Sequence, residues 1–222
     1  MKPILEPLEE ITITDYNGVD RTIKIYTDKS LVIDHEHANP MNGFALRFSG
    51  DKDNGTYVEI GSSHWLEKNN TYMLEKEFGW TGVGLEIRSH YIDEYDKNRT
   101  NPCIKADAKT FNWDKYFEDN NFPKQIDYLS IDIDSGNYLS LINMPLSRYR
   151  FTTIVVENRE VSGKGLMTYI CEDIKNILLK YDYTFIGSGF NDDFWIDNTY
   201  LNLMGNQYEP LVHSFWKKKI NI

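Results

Sequence analysis

Cysteine is scarce in this chain. The two present, Cys103 and Cys171, are far apart and have neither the close spacing of a metal knot nor the density of a disulfide framework. Both fall in segments that read as buried strand or amphipathic helix, so packing is their expected role. Long apolar runs are also missing: no stretch approaches the roughly 20 residues that span a bilayer. The first twenty residues carry Glu6, Glu9 and Glu10 where a secretory leader has a basic flank and an apolar stretch. A soluble, cytoplasmic protein with no membrane partner is expected, and the abundance of Asn, Lys, Ile, Tyr and Asp is compatible with an AT-rich phage or viral gene. Positive charge is in deficit, with 24 Lys and Arg against 34 Asp and Glu and a formal net charge of -10. No basic stripe offsets this, so a nucleic-acid partner is disfavoured and a small or neutral substrate fits better. Internal repeats and low-complexity segments are absent.

What is present is a change of pattern along the chain. Residues 11–33 alternate apolar and polar positions (Ile11, Ile13, Ile23, Ile25, Leu31, Ile33) around Asn17-Gly18, a hairpin turn signal, which predicts a small antiparallel lead-in. From Gly55 onward, short apolar runs alternate with helix-length segments, the pattern of a parallel sheet with crossover helices. The runs are 56–60, 82–87, 102–106, 126–132, 151–157 and 183–187. Asn70 is placed to cap a helix that presents Leu74 and Phe78, and Gly79 to end it in a left-handed turn. Leu166, Ile170, Ile174, Ile177 and Leu178 form one apolar stripe of a later helix. The segment from Asn191 to Leu201 alternates large apolar and polar residues and reads as an antiparallel edge strand. Length and pattern together predict an N-terminal β extension over 1–50 and an α/β domain over 51–222, Rossmann-like, with helices on both faces of a mostly parallel sheet.

In such a sheet, ligands sit beyond the carboxyl ends of the strands, near the switch in strand order. Here the candidate strands end in acid: Glu59, Glu86, Asp107, Asp132 and Glu157 would line one rim. Glu86 follows Gly61 by 25 residues at the end of the second run, where a carboxylate can accept bonds from the hydroxyls of a ribose. The first loop, Gly61-Ser62-Ser63-His64-Trp65, has one glycine where a dinucleotide fingerprint has three, and no P-loop lysine. A cofactor with a nucleoside and no phosphate, such as S-adenosylmethionine, fits these features.

The stretch "YVEIGSSHWLEKNNTYMLEKEFGWTGVGLEI" resembles the opening of FkbM-type S-adenosylmethionine-dependent methyltransferases, and "NRTNPCIKADA", "IDYLSIDIDSGNYLSLINM" and "FTTIVVEN" follow in that family's order. The resemblance covers roughly residues 55 to 200, and the "NTYMLEKEFGWTG" block is its most specific part. It implies a class I methyltransferase fold and methylation of a hydroxyl on a sugar, glycan or small metabolite. It also implies that Glu59 and Gly61 hold the methionine end of the cofactor and Glu86 the ribose. Asp107 and Ala108 would lie at the adenine, and Asp132 near the methyl donor. Ser62 and Ser63 stand where the family has a different turn, and their hydroxyls could supply the bonds of that turn.

Transfer of a methyl group to an alcohol needs alignment and a base. Asp132, Asp134 and Glu157 are the candidates, since crowded carboxylates hold protons toward neutrality. His64 is a further candidate. The same three acids could bind Mg²⁺, although no ligand spacing is diagnostic of a metal. Asp192-Asp193, His35 and His37 are outer-rim groups, and Trp113, Trp195 and Trp216 are expected in the core more than against a sugar. The alternative is a non-catalytic binding or structural protein on a degenerate methyltransferase fold.

Overall fold

A computed structural model of the chain describes residues 9–14, 20–25, 37–158 and 168–204. The expected Asn17-Gly18 turn, Leu31, Ile33, His35, Leu166 and Trp216 lie outside the described residues. The lead-in is a two-stranded antiparallel ladder of β1 (Glu9–Thr14) and β2 (Asp20–Ile25), with Ile11 opposite Ile23.

The main sheet has seven strands. They are β3 (Thr56–Ile60), β4 (Thr81–Glu86), β5 (Cys103–Lys105), β6 (Gln125–Ile131), β7 (Arg150–Glu157), β8 (Tyr183–Gly189) and β9 (Asp192–Asp197). Their spatial order is β5-β4-β3-β6-β7-β9-β8. The first five named in that order run parallel, because each is reached through a helical crossover, and β9 pairs antiparallel to both β7 and β8. This is the expected Rossmann-like sheet. One expectation is corrected: the antiparallel strand at 192–197 is not at the edge. It is wedged between β7 and β8, which explains why all six of its residues are buried. The edge is β8, where Phe185 is exposed.

Helices cover both faces. On one side, α4 (Trp113–Asp119), α5 (Asn137–Ile142) and α6 (Thr168–Lys180) enclose a core of Val58, Val83, Leu129, Phe117, Leu141, Ile154, Ile174 and Leu178. On the other, α1 (Pro40–Phe48), α2 (Tyr72–Phe78) and α7 (Asn198–Met204) enclose Phe44, Phe48, Tyr57, Leu74, Tyr128, Val155 and Phe194. The last helix, α3 (Ser89–Asn98), packs Ile92 and Tyr95 against Cys103. Residues 40–48, grouped in the sequence with the N-terminal extension, thus belong to the body of the domain, since α1 buries Phe44, Leu46 and Phe48 in its core. Trp113 and Trp195 are core residues, and both cysteines are free and buried.

Local chemistry explains the unit β3-α2-β4. Gly79 ends α2 with φ 66°, a left-handed conformation that suits glycine. The cap at the other end differs from expectation. The side chain of Asn69, not Asn70, accepts the backbone amides of Thr71 and Tyr72, while the side-chain Nδ2 of Asn70 donates across to Ser130 Oγ.

Candidate active site

The carboxyl ends of β3, β4, β5 and β6 converge on a cleft of about 640 Å³, within the range of small-molecule sites. It lies where the chain leaves β3 for β4 on one side and where β6 enters on the other, the reversal point of the sheet. Its walls include Gly61, Ser63, Glu86, Asp107, Ala108, Asp132 and Asp134, with Leu85, Ile87, Ala106, Ile133 and Leu139 as apolar surface. Ile87 and Leu139 are exposed large apolar side chains, and both face this cleft.

Gly61 makes the first turn possible. Its φ is +87°, and a Cβ there would stand 2.1 Å from the carbonyl oxygen of Asp132. The turn carries Ser63 over Glu86, whose Oε2 accepts the Ser63 amide at 3.0 Å, while Oε1 accepts the amides of Ile87 and Arg88, each at 2.9 Å. A carboxylate has about four acceptor positions. Three are therefore taken, which leaves one acceptor position of Glu86 for a ligand in the cleft. Ser62 is buried, with its hydroxyl donating to the Glu59 carbonyl.

Glu59 is placed differently from the sequence reading. Its carboxylate does not line the cleft; it is buried and accepts the Asn70 amide at 2.8 Å, Thr71 Oγ1 at 2.8 Å and Asn69 Nδ2 at 3.1 Å. Burial pushes its carboxyl up, against the pull of Arg99 and of those three bonds. Asn69 also donates to the Ser62 carbonyl, so Glu59 fastens the loop that follows β3.

Behind that loop lies a buried polar knot that sequence reasoning missed. Arg99 donates five hydrogen bonds, to Glu75 at 2.7 Å, the Trp65 carbonyl, Asn69, Tyr57 and Thr71. Glu75 further accepts from Thr100, Asn101 and Tyr57. Burial raises the Glu75 carboxyl, but Arg99 and the Thr100 donors outweigh it and hold it at about 2. The signal in the sequence was an acid on the inward side of α2, next to Leu74, which requires a buried cation.

On the far wall, Asp107 Oδ1 accepts the Lys109 amide, its Oδ2 is 3.4 Å from Lys109 Nζ, and Ala108 is buried beside it. At the end of β6, Asp132 is exposed on the cleft wall. Desolvation of its carboxyl, then the neighbouring Glu157 carboxylate, then Asp192 and Asp134, raise it to about 8. Glu157 is buried one strand over and accepts the Asp134 amide at 3.0 Å. Asp134 has φ 55°, a strained conformation outside glycine, which turns it toward the cleft mouth. The structure thus brings Asp132, Asp134 and Glu157 together. It does not bring His64 to them: Nδ1 of that ring accepts the amides of Leu66 and Glu67 in its own loop. His37 packs edge-on against Tyr72. Among the described residues no group of three or more acids, histidines or cysteines has the arrangement a metal ion needs, which leaves the Mg²⁺ reading without support. No described helix is long and apolar enough to cross a membrane.

No family model and no curated protein matches the chain. Among solved structures it is similar to a Methanococcus jannaschii fibrillarin pre-rRNA processing protein, with 14% identity over 88% of this chain and 86% of that one and a TM-score of 0.45. It is also similar to the plantazolicin methyltransferase BpumL, seen in complex with SAH (16% identity, 78% and 76% covered, TM-score 0.43). A third is the N-methyltransferase NodS from Bradyrhizobium japonicum WM9 (11%, 69% and 90%, TM-score 0.42). These identities and scores carry no assignment of family, substrate or reaction.

Proposed function

We propose that the protein is an S-adenosylmethionine-dependent methyltransferase acting on a hydroxyl of a sugar, glycan or small metabolite. The observation that carries this reading is one cleft at the reversal point of the sheet, with Glu86 at the end of the second parallel strand and the paired acids Asp132 and Glu157 beside it. The FkbM resemblance over residues 55 to 200 supports it. The residues fit the cofactor: Glu86 has one acceptor position left for a ribose hydroxyl, and the turn 61–65 itself contains no Lys or Arg, the cleft's basic residues being Lys68, Arg88 and Lys109. The apolar walls formed by Ile87, Ala106 and Leu139 suit a flat heterocycle near Asp107 and Ala108.

When bound, S-adenosylmethionine supplies a methyl group on a sulfonium, open to in-line attack. Asp132, facing the cleft, takes the proton of the attacking hydroxyl, a role that suits a carboxyl with its affinity for protons raised toward neutrality. Glu157 sets that affinity, and Asp134 holds Glu157 through its backbone amide. Net acidity favours a small acceptor over nucleic acid.

One observation favours the second reading, a non-catalytic binding protein: Glu86 is already engaged by three backbone amides. Methyl-labelled donor incubated with a panel of sugars and polyols separates the two. Label recovered in a methyl ether supports the enzyme; S-adenosylhomocysteine binding without transfer to any hydroxyl moves the acceptor to another atom; absence of binding supports the second reading.

A further inference from the structure

The ladder between β6 and β7 closes at the pair Ile131 and Val156. Asp132 follows β6 and Glu157 is the last residue of β7, so two acids stand side by side where the backbone pairing has stopped. Like charges at this point push the two strand ends apart. One side chain holds them together. Asn137, the first residue of α5, is 0% exposed. Its Oδ1 accepts the Ile133 amide at 2.8 Å, and its Nδ2 donates to the Glu157 carbonyl at 3.0 Å. It acts as one more rung beyond the last backbone pair.

The bonds fall on the peptide units that aim Asp132. Its own amide donates to the Ile60 carbonyl on β3 at 2.9 Å, and the next amide, that of Ile133, is the one Asn137 takes. Both peptides flanking Asp132 are therefore fixed, one to β3 directly and one to β7 through Asn137. The chain then bends at Asp134, whose φ is 55° and whose amide donates to Glu157 Oε2. A non-glycine residue keeps such a conformation only where its surroundings over-determine it. Because the Asn137 side chain is fully buried, water cannot take over its two bonds once they are lost.

We propose that Asn137 is a positioning residue for Asp132: its carboxamide clasps the loop after β6 to the end of β7 and keeps the Asp132 carboxyl on the cleft wall beside Glu157. The mechanistic meaning of the clasp, a base held ready for the acceptor hydroxyl, rests on the methyltransferase reading; the clasp itself does not. The groups that face Asp132 are Glu157 from β7, Asp192 from β9 and Asp134 from its own loop, and the same cleft is lined by Glu86, Asp107, Lys68, Arg88 and Lys109. Burial and the three nearby acids together hold a proton on Asp132. Without the clasp the loop moves away from Glu157, which favours the ionised form.

The test follows the Asp132 carboxyl ¹³C resonance against pH in the whole protein with no S-adenosyl compound present, Asp132→Asn supplying the assignment. Asn137→Leu keeps the branched shape and removes both bonds. In this variant the Asp132 midpoint should fall from about 8 by about one pH unit or more, a tenfold or greater loss of proton affinity. Thr153→Val is the control: Thr153 Oγ1 ties β7 to the Asp127 carbonyl of β6 at 2.9 Å, well inside the sheet, so this variant should melt lower than wild type with the Asp132 midpoint unchanged. Asn137→Ser covers the case in which the leucine variant does not fold. In the wild type, the Ile133 amide and the Asn137 Nδ2 protons should resist exchange with solvent. An unmoved midpoint in a folded Asn137 variant, an equal fall in Thr153→Val, or rapid exchange of either wild-type proton would overturn the proposal. In a protein that transfers methyl groups, the acid limb of turnover moves down with the midpoint in Asn137→Leu. A lowered midpoint in a protein that does not bind S-adenosylhomocysteine would keep the clasp and remove the methyltransferase reading.

Discussion

Replacing Arg99 by methionine removes a guanidinium that is 7% exposed and makes five hydrogen bonds beneath the loop after β3. The largest loss is at Glu75, buried beside it at 2.7 Å. Breaking one half of a buried ion pair costs about 3–5 kcal/mol, because the remaining charge is left in a poor solvent. A second route gives a similar size. Glu75 falls from an ordinary 4.5 to about 2, which at about 1.36 kcal/mol per pH unit is worth roughly 3 kcal/mol, much of it due to Arg99. For a chain of this length that corresponds to a melting-temperature drop of roughly 6–20 °C. The loss should also reach the cleft, since Arg99 holds Asn69 and the Trp65 carbonyl, and Asn69 holds the Ser62 carbonyl and Glu59. Arg99→Lys should rescue little, as a single ammonium cannot reproduce a fork with five bonds. The assay is urea denaturation with S-adenosylhomocysteine affinity measured on the folded fraction. A loss below about 1 kcal/mol with unchanged affinity would refute the claim that this knot supports the loop.

Four further outcomes follow from the same geometry. Glu86→Ala should lower both cofactor affinity and the stability of the ligand-free protein, because three backbone amides lose their acceptor; calorimetry and thermal melts read the two effects, and an unchanged melt contradicts the bonding described. Gly61→Ala should destabilise the fold by roughly 1–3 kcal/mol or more, from a Cβ 2.1 Å from a carbonyl oxygen at positive φ, and circular dichroism showing a native melt would place this turn elsewhere. Turnover should rise with pH through about 8 as Asp132 loses its proton, and Asp132→Asn should flatten that limb. For stability the sign is opposite: Asp132 and Asp192 hold protons in the native state that the unfolded chain gives up near 4, so stability falls as pH rises above about 4 and the loss is complete once the pH has passed about 7 to 8. Asp192→Asn should lessen that loss, and an identical pH dependence in the variant would count against a proton held at Asp192 by burial and by Glu157 and Asp193.

The alternation of apolar runs with helix-length segments was sufficient to place all five parallel strands and the α2 and α6 helices within a residue or two, because the runs other than the short β5 are buried on both faces over most of their length and the helices on one. The antiparallel strand was legible as a strand but not as an interior one. Position in a sheet depends on which neighbour the chain returns to, and nothing local in "DDFWID" encodes that. The acidic rim was legible at Glu86, Asp107, Asp132 and Glu157, all at strand exits. Glu59 was misplaced because β3 ends on Ile60, so the acid one residue earlier points away from the cleft, toward Asn69, Asn70 and Thr71. The Arg99 knot joins residues 18 to 42 positions apart, and such pairings exist only once the helices are packed.

The central claim is that the cleft between Glu86 and Asp132 receives the S-adenosyl group. Isothermal calorimetry of S-adenosylhomocysteine against wild-type and Glu86→Gln protein tests it most directly, because the glutamine keeps the shape and loses the charge. The account predicts saturable one-to-one binding to the wild type, weakened about tenfold or more in the variant through loss of a charged acceptor for the ribose hydroxyl. No binding to the wild type, or equal binding by both proteins, would contradict it.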